Sequence, residues 1–167
     1  MIDISGISFE GLLGAAAKAE ENSREVYDFL AKKAKTFVIA DRFKFLAAEE
    51  QKHEEYVREM YSKTTGGKEL TFQEDTPVPI PFIRFDDDSD ESELIEQAMG
   101  AELAAKEVYE KMANLAKEEE QTDDVVNMLE YLASMEQNHY NILESELNRA
   151  KNFEDFDDYF PGMHIGP

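Results

Sequence analysis

The chain has 167 residues, of which 42% are hydrophobic, and this length is sufficient for one domain with a substantial core. Its 38 acidic and 17 basic side chains give a formal net charge of -21, which argues against nucleic acids and anionic membranes as partners because phosphate binding needs clusters of Lys and Arg. No cysteine is present, so disulfides, Cys-ligated zinc and a rubredoxin-type centre are excluded from this chain.

The N-terminal segment MIDISGISFE has no basic region followed by an apolar run, so the sequence predicts no signal peptide. No later apolar run is long enough to span a membrane. Together with the absence of cysteine, these features favour a cytoplasmic protein.

Four long helices are predicted in chain order. They cover about residues 8–33, 36–61, 92–119 and 123–151, with Ser8 and Thr36 as candidate N-caps and a third start near Asp90 or Ser92. Residues 62–91 contain prolines and glycines and cannot continue a helix. A connection this long is expected where the chain crosses the full length of a bundle. The sequence therefore predicts one all-α domain over residues 1–167, a four-helix bundle of two helical hairpins joined by a long crossover.

A short C-terminal tail, residues 152–167, is predicted to follow the fourth helix. It is acidic and aromatic, and His164 lies beyond its Pro161. We do not expect His164 to bind a metal. The tail aromatics are expected to pack on the bundle or on a partner subunit; they are Phe153, Phe156, Tyr159 and Phe160.

Each predicted helix has an apolar seam, at alternating steps of four and three residues, that carries a glutamate near its middle. These glutamates are Glu20, Glu50, Glu102 and Glu136, and two of them are followed three residues later by His53 and His139. Burying a bare carboxylate carries a penalty of several kcal/mol unless positive charge compensates it. Two divalent ions would balance four carboxylates, with the two neutral imidazoles as further ligands. The pattern therefore predicts a metal site inside the bundle.

The two halves of the chain repeat each other. AEENSREVYDFLA, from Ala19, aligns with AELAAKEVYEKMA, from Ala101, and LAAEEQKHEEYV, from Leu46, aligns with LASMEQNHYNIL, from Leu132. This alignment predicts a pseudo-twofold relation between two Glu helices and two Glu-x-x-His helices. It also pairs Tyr27 with Tyr109, two turns beyond Glu20 and Glu102. Each tyrosine is interpreted either as a donor to a ligand carboxylate of the facing helix or as a core aromatic.

These residues resemble the ferritin-like di-iron carboxylate proteins, and among them the rubrerythrin branch. The resemblance covers about residues 8–151. It implies two iron ions, with manganese or a mixed pair as alternatives. It also implies that Glu50 and Glu136 bridge the two ions and that Glu20 and Glu102 are terminal ligands. The six implied metal ligands are Glu20, Glu50, His53, Glu102, Glu136 and His139.

The resemblance implies a di-iron oxidoreductase that reduces peroxide or oxygen. Because the chain has no rubredoxin domain, the electrons would come from an external donor, rubredoxin-like or other. Rubrerythrins often carry a second glutamate on the third helix, whereas Met99 and Ala105 occupy those positions here, so the ligand exchange associated with that glutamate is not implied. A homodimer or a larger homo-oligomer is expected. Two alternatives are a ferroxidase that handles iron and a non-catalytic, metal-stabilised bundle.

Overall fold

Four helices form the architecture in a computed structural model, which describes residues 2–70 and 81–159, with side chains up to residue 149. The described chain contains no strand. The helices are α1 (Phe9–Lys33), α2 (Phe37–Thr64), α3 (Glu91–Glu118) and α4 (Asp123–Tyr159). The predicted all-α bundle of four helices is confirmed. No helix of the described segments has both the length and the hydropathy needed to cross a membrane.

Two helix ends differ from the prediction. The second helix continues to Thr64, beyond the predicted end at residue 61. The fourth continues to Tyr159, so the first part of the predicted tail is helical. The physical reason is that no proline or glycine interrupts residues 152–159. The expectations for His164, Phe160 and the side chains of the other tail aromatics lie outside the described residues.

Side-chain caps fix three of the helix starts. Ser8 accepts a hydrogen bond from the backbone N–H of Gly11 at 3.1 Å, and Thr36 accepts one from Ile39 at 3.3 Å. Asp90 caps α3 in the same way by accepting from Glu93 at 2.9 Å. Such caps satisfy backbone donors that the first helical turn leaves free.

The helices pack as two hairpins, α1 with α2 and α3 with α4, and the hairpins meet through α1 with α3 and α2 with α4. The crossover between α2 and α3 is anchored near both of its ends. Leu70 is buried in the same apolar cluster as Val57 and Met60 of α2. Ile83 is buried at the opposite end of the bundle, where the side chain of Asn22 accepts from its N–H and donates to its C=O.

The core consists of two apolar clusters, one towards each end of the bundle. Burial of each large aliphatic side chain stabilises the fold by about 1.5–3 kcal/mol. The first cluster includes Leu12, Leu13, Val57, Met112, Leu129 and Leu132. The second includes Val26, Leu30, Leu46, Leu94, Ile95 and Leu143. These clusters leave a polar layer between them, which is the candidate site.

Candidate metal centre

The polar layer brings together all six residues that the sequence pattern selects. Each of the four helices contributes one glutamate, and α2 and α4 each add a histidine one turn later. All six side chains are at most 3% exposed. They are Glu20, Glu50, His53, Glu102, Glu136 and His139.

Glu50 and Glu136 lie between the two histidines. Glu50 places Oε2 at 3.0 Å from Nδ1 of His53 and Oε1 at 3.0 Å from Nδ1 of His139. Glu136 places Oε1 at 3.1 Å from Nδ1 of His53 and Oε2 at 3.4 Å from Nδ1 of His139. The imidazole rings stack with centroids 5.1 Å apart and 15° between their planes. Each of these two carboxylates therefore directs one oxygen towards each imidazole.

Glu20 and Glu102 each face only one of the imidazoles. Oε2 of Glu20 lies 3.8 Å from Nδ1 of His53, and Oε2 of Glu102 lies 3.7 Å from Nδ1 of His139. The layer is thus divided into two equivalent halves, each with one imidazole, one carboxylate of its own and one oxygen from each shared carboxylate.

Two buried tyrosines hold the other oxygens of Glu20 and Glu102. The hydroxyl of Tyr27 donates to Oε1 of Glu102, and the hydroxyl of Tyr109 donates to Oε1 of Glu20. Both bonds connect α1 with α3. Burial, with the adjacent carboxylates, raises the pKa of Tyr27 and of Tyr109 well above the usual value, so both hydroxyls remain protonated donors.

Burial and the neighbouring charges shift the pKa of all four carboxyls in the layer. Burial, followed by the negative charges of Glu50 and Glu136, raises the pKa of Glu20 and of Glu102 well above its usual value. Burial also acts to raise the pKa of Glu50 and of Glu136, but the imidazoles outweigh it and lower the pKa of both carboxyls.

The pKa of each histidine is raised, unlike the pKa of Glu50 and of Glu136. Burial acts to lower their pKa, yet the surrounding carboxylates raise the pKa of His53 and of His139 far above the usual value. The shifts therefore favour the protonated forms of both histidines and of Glu20 and Glu102, and the ionised forms of Glu50 and Glu136.

Seven donor atoms of the layer are buried without a hydrogen-bond partner. They are both oxygens of Glu50, Oε1 of Glu136 and both ring nitrogens of His53 and of His139. The short contacts among these atoms therefore lack hydrogen-bond geometry. A buried polar atom without a hydrogen-bond partner costs free energy of folding. One ligand atom from each of these four residues lies within 4.8 Å of the others. Carboxylate oxygens with imidazole nitrogens are donors that suit iron or manganese, so the residues fit a di-iron site.

A further buried carboxylate, Glu146, was not identified from the sequence. It lies seven residues after His139 and therefore on the same face of α4, which is the signal that could have revealed it. Its Oε1 pairs with Arg42 of α2 at 2.6 Å and with Arg149 at 3.2 Å. Arginine pairing distinguishes Glu146 from the glutamates of the polar layer, whose neighbours are histidines and tyrosines.

One protein family matches most of the chain. The sequence profile of the Rubrerythrin family matches residues 11–147. The comparison with curated proteins gave no significant match.

Solved structures share the fold. A hypothetical protein from Pyrococcus furiosus is 34% identical, with a TM-score of 0.78 over 90% of this chain and 95% of that one. A ferritin-like, diiron-carboxylate protein from Bacillus anthracis is 27% identical, with a TM-score of 0.65 over 83% of this chain and 94% of that one. A dodecameric thioferritin from Bacteroides fragilis, at 18% identity, shares the fold, with a TM-score of 0.66 over 92% of this chain and 91% of that one. The chain belongs to the rubrerythrin family of ferritin-like proteins.

Proposed function

We propose that the chain is a di-iron oxidoreductase that reduces peroxide or oxygen with electrons from an external donor. The observation that carries this proposal is the arrangement of Glu50 and Glu136, each with one oxygen directed towards each imidazole. A carboxylate in that position can bridge two ions.

The six residues of the layer would divide the ligand roles between two ions. Glu20 and His53 would bind one ion, and Glu102 and His139 the other, while Glu50 and Glu136 would bind both. Bound as ferrous ions, the pair would supply the two electrons that reduction of peroxide requires, one from each iron. Six protein side chains would not by themselves complete the coordination of two ions, so the site could accept a small oxidant.

The remaining residues would orient the ligands and exclude water. Tyr27 and Tyr109 each donate to the outer oxygen of a terminal carboxylate, which fixes the rotamer of that carboxylate. The two apolar clusters cover the layer on both sides along the bundle axis. A small, uncharged oxidant such as hydrogen peroxide fits an enclosed layer of this kind better than a bulky organic substrate does.

Metal content and turnover test the proposal together. Protein purified without chelator, or reconstituted anaerobically with iron, should contain about two irons per chain. The reduced protein should consume peroxide repeatedly when a reductant is supplied. The paired variant Glu50→Ala plus Glu136→Ala should bind no iron and consume no peroxide. Less than about a tenth of a metal per chain after reconstitution with iron and with manganese would overturn the proposal.

A ferroxidase that handles iron is the second candidate. The formal net charge of -21 favours it, because an acidic surface concentrates ferrous ions. This function predicts that ferrous iron and oxygen alone sustain the reaction, with iron bound well beyond two per chain in a large assembly. Turnover that stops at two irons per chain, and resumes only with an external reductant, would favour the peroxide or oxygen reductase instead.

A further inference from the structure

We propose that the cleft between the C-terminal half of α2 and the N-terminal half of α4 binds a small quaternary ammonium ion. A cavity of about 380 Å³ lies in this cleft, within the range of about 300–1,000 Å³ that is usual for ligand pockets. Its walls include Tyr56 and Met60 of α2, and Met128 and Tyr131 of α4; we call this cavity the tyrosine cleft. Tyr56 lies one turn after His53, so the cleft is adjacent to the polar layer. The proposal is independent of the metal chemistry, because the cleft shares no residue with that layer.

The internal repeat supplies a second cleft for comparison. The offset that pairs the two Glu-x-x-His motifs relates the tyrosine cleft to the space between the same two helices at the opposite end of the bundle. There Arg42 takes the place of Met128, and Glu146 takes the place of Met60. The guanidinium of Arg42 reaches across to the buried Glu146 at 2.6 Å. The second cleft therefore holds a cation that belongs to the chain itself, whereas the tyrosine cleft has two neutral methionines at those positions.

Charge at the mouth of the tyrosine cleft favours a cation from solution. Glu59 and Asp124 are exposed at the mouth, and the amine of Lys63 pairs with Glu59 at 2.8 Å. Two acids and one base leave the mouth with a net negative charge. The equivalent positions of the second cleft are neutral, with Ser145 in place of Glu59 and Val38 in place of Asp124. The acidic mouth therefore accompanies the cleft that lacks an arginine, and it attracts cations and repels anions.

The walls of the tyrosine cleft select the kind of cation. The rings of Tyr56 and Tyr131 stand at 77° to each other with centroids 6.4 Å apart, which gives two aromatic walls that meet at nearly a right angle. An aromatic face attracts a cation within about 6 Å of its centre. Met60, at 4% exposure, forms part of the floor, and its thioether is a weak hydrogen-bond acceptor. A guanidinium or a primary ammonium would lose hydrogen bonds to water that this floor does not replace, whereas a quaternary ammonium has no N–H group to satisfy.

Calorimetric titration of the purified protein with choline tests the proposal. Choline should bind at one site per chain with a dissociation constant below about 1 mM. Dimethylbutanol, the neutral analogue in which carbon replaces the nitrogen, should bind at least about tenfold more weakly, because it fills the same volume without the charge. Betaine, which adds a carboxylate to the same trimethylammonium group, should also bind more weakly at the acidic mouth. No saturable binding of choline, or equal binding of choline and the neutral analogue, would overturn the proposal.

Vesicles distinguish a free solute from a lipid head group. The head group of phosphatidylcholine carries a phosphate beside its quaternary ammonium, and the acidic mouth of the tyrosine cleft would repel that phosphate. The proposed ligand is therefore a free solute, and centrifugation with phosphatidylcholine vesicles should leave the protein in the supernatant. Sedimentation with the vesicles that free choline reverses would overturn this assignment.

Substitution of Tyr131, which is 45% exposed, tests the aromatic wall. Tyr131→Ala should raise the dissociation constant of choline at least about tenfold. Tyr131→Phe should keep that constant within about twofold of the wild-type value, because the aromatic face remains. Phe45→Ala is the matched control, at the equivalent, 50% exposed position of α2, and should leave choline binding unchanged. Equal losses in Tyr131→Ala and Phe45→Ala, or no loss in either, would overturn the proposal.

Transfer of the ion pair from the second cleft tests whether the cavity itself is the site. Met60→Glu plus Met128→Arg gives the tyrosine cleft the glutamate and the arginine of the second cleft, so the new guanidinium should occupy the position of the ligand cation. This double variant should unfold in one cooperative transition, as a folded protein does, and should no longer bind choline. A folded double variant that binds choline as the wild type does would overturn the proposal. If the double variant does not fold, the comparison of Tyr131→Ala with Phe45→Ala decides the question.

Discussion

The hydroxyl of Tyr27 on α1 donates a hydrogen bond to Oε1 of Glu102 on α3, across the interface between the two hairpins. Tyr109 of α3 donates in return to Glu20 of α1. Each tyrosine belongs to one half of the repeat and its acceptor belongs to the other half. The two bonds therefore join the hairpins at the level of the polar layer and orient the carboxylates of Glu20 and Glu102.

Tyr27→Phe should destabilise the protein and weaken metal binding. The variant leaves a buried oxygen of Glu102 without its donor, which costs about 1–3 kcal/mol of unfolding free energy. Loss of a residue that orients a ligand typically lowers metal affinity about 10- to 100-fold. Chemical denaturation and competition with a chelator measure the two effects. Tyr140→Phe is the control, because among the described residues the hydroxyl of Tyr140 bonds only to the exposed Glu144, at 3.5 Å. Equal losses in both variants would contradict the prediction.

Metal binding should release about four protons per chain. Burial raises the pKa of Glu20 and of Glu102, and the carboxylates raise the pKa of both histidines, so these four groups should carry protons before a metal binds. Two divalent ions replace these protons. Because protons compete with the metal, affinity should fall as the pH is lowered and rise as it is raised. An indicator dye in weakly buffered solution, during anaerobic addition of Mn²⁺, measures the release; one proton or fewer would contradict this charge balance.

Removal of the metal should lower thermal stability, because a metal held by residues of four different helices would bind the folded chain and not the unfolded one. At a free metal concentration about 100 times the dissociation constant, the expected stabilisation is about 2.7 kcal/mol. Calorimetry of the protein before and after chelation measures the difference. Glu50→Ala should abolish the response to metal, whereas Glu55→Ala, at an exposed position of the same helix, should retain it. A chelator-insensitive melting temperature in the wild type would contradict the prediction.

The sequence pattern was sufficient to predict the bundle and to select the residues of the polar layer. The seams depend on local periodicity, and a glutamate within an apolar seam is visible in the sequence because its burial is costly. The caps at Ser8 and Thr36 follow from equally local chemistry and are present in the structure. The ligand roles of the six residues remain predictions.

Two contacts between distant segments could not be predicted. Nothing near Asn22 in the sequence indicates that its side chain binds the backbone of Ile83, and the pairing of Arg42 with Glu146 depends in the same way on how α2 packs against α4. The end of α4 was placed too early because acidic and aromatic residues lowered the expected helix propensity, although no residue there breaks a helix.

Asn22→Ala should release the far end of the crossover. The side chain of Asn22 donates to the carbonyl of Ile83 at 3.0 Å and accepts from its N–H at 2.8 Å. Both backbone groups are buried, and each would lose its partner at a cost of about 1–3 kcal/mol. We expect a loss of about 2–4 kcal/mol in unfolding free energy and faster amide hydrogen exchange at Ile83. Chemical denaturation measures the unfolding free energy, and hydrogen exchange measures the protection of the Ile83 amide.

The control for this substitution is Asn114→Ala, at an exposed position of α3, which should change stability by less than about 0.5 kcal/mol. Asn22 is also two residues from Glu20 in α1, but its amide faces the crossover and not the imidazoles. Metal content at saturating metal should therefore be the same in Asn22→Ala as in the wild type, while protection at Ile83 is lost. Loss of metal with full protection at Ile83 would show that Asn22 supports the metal layer and not the crossover.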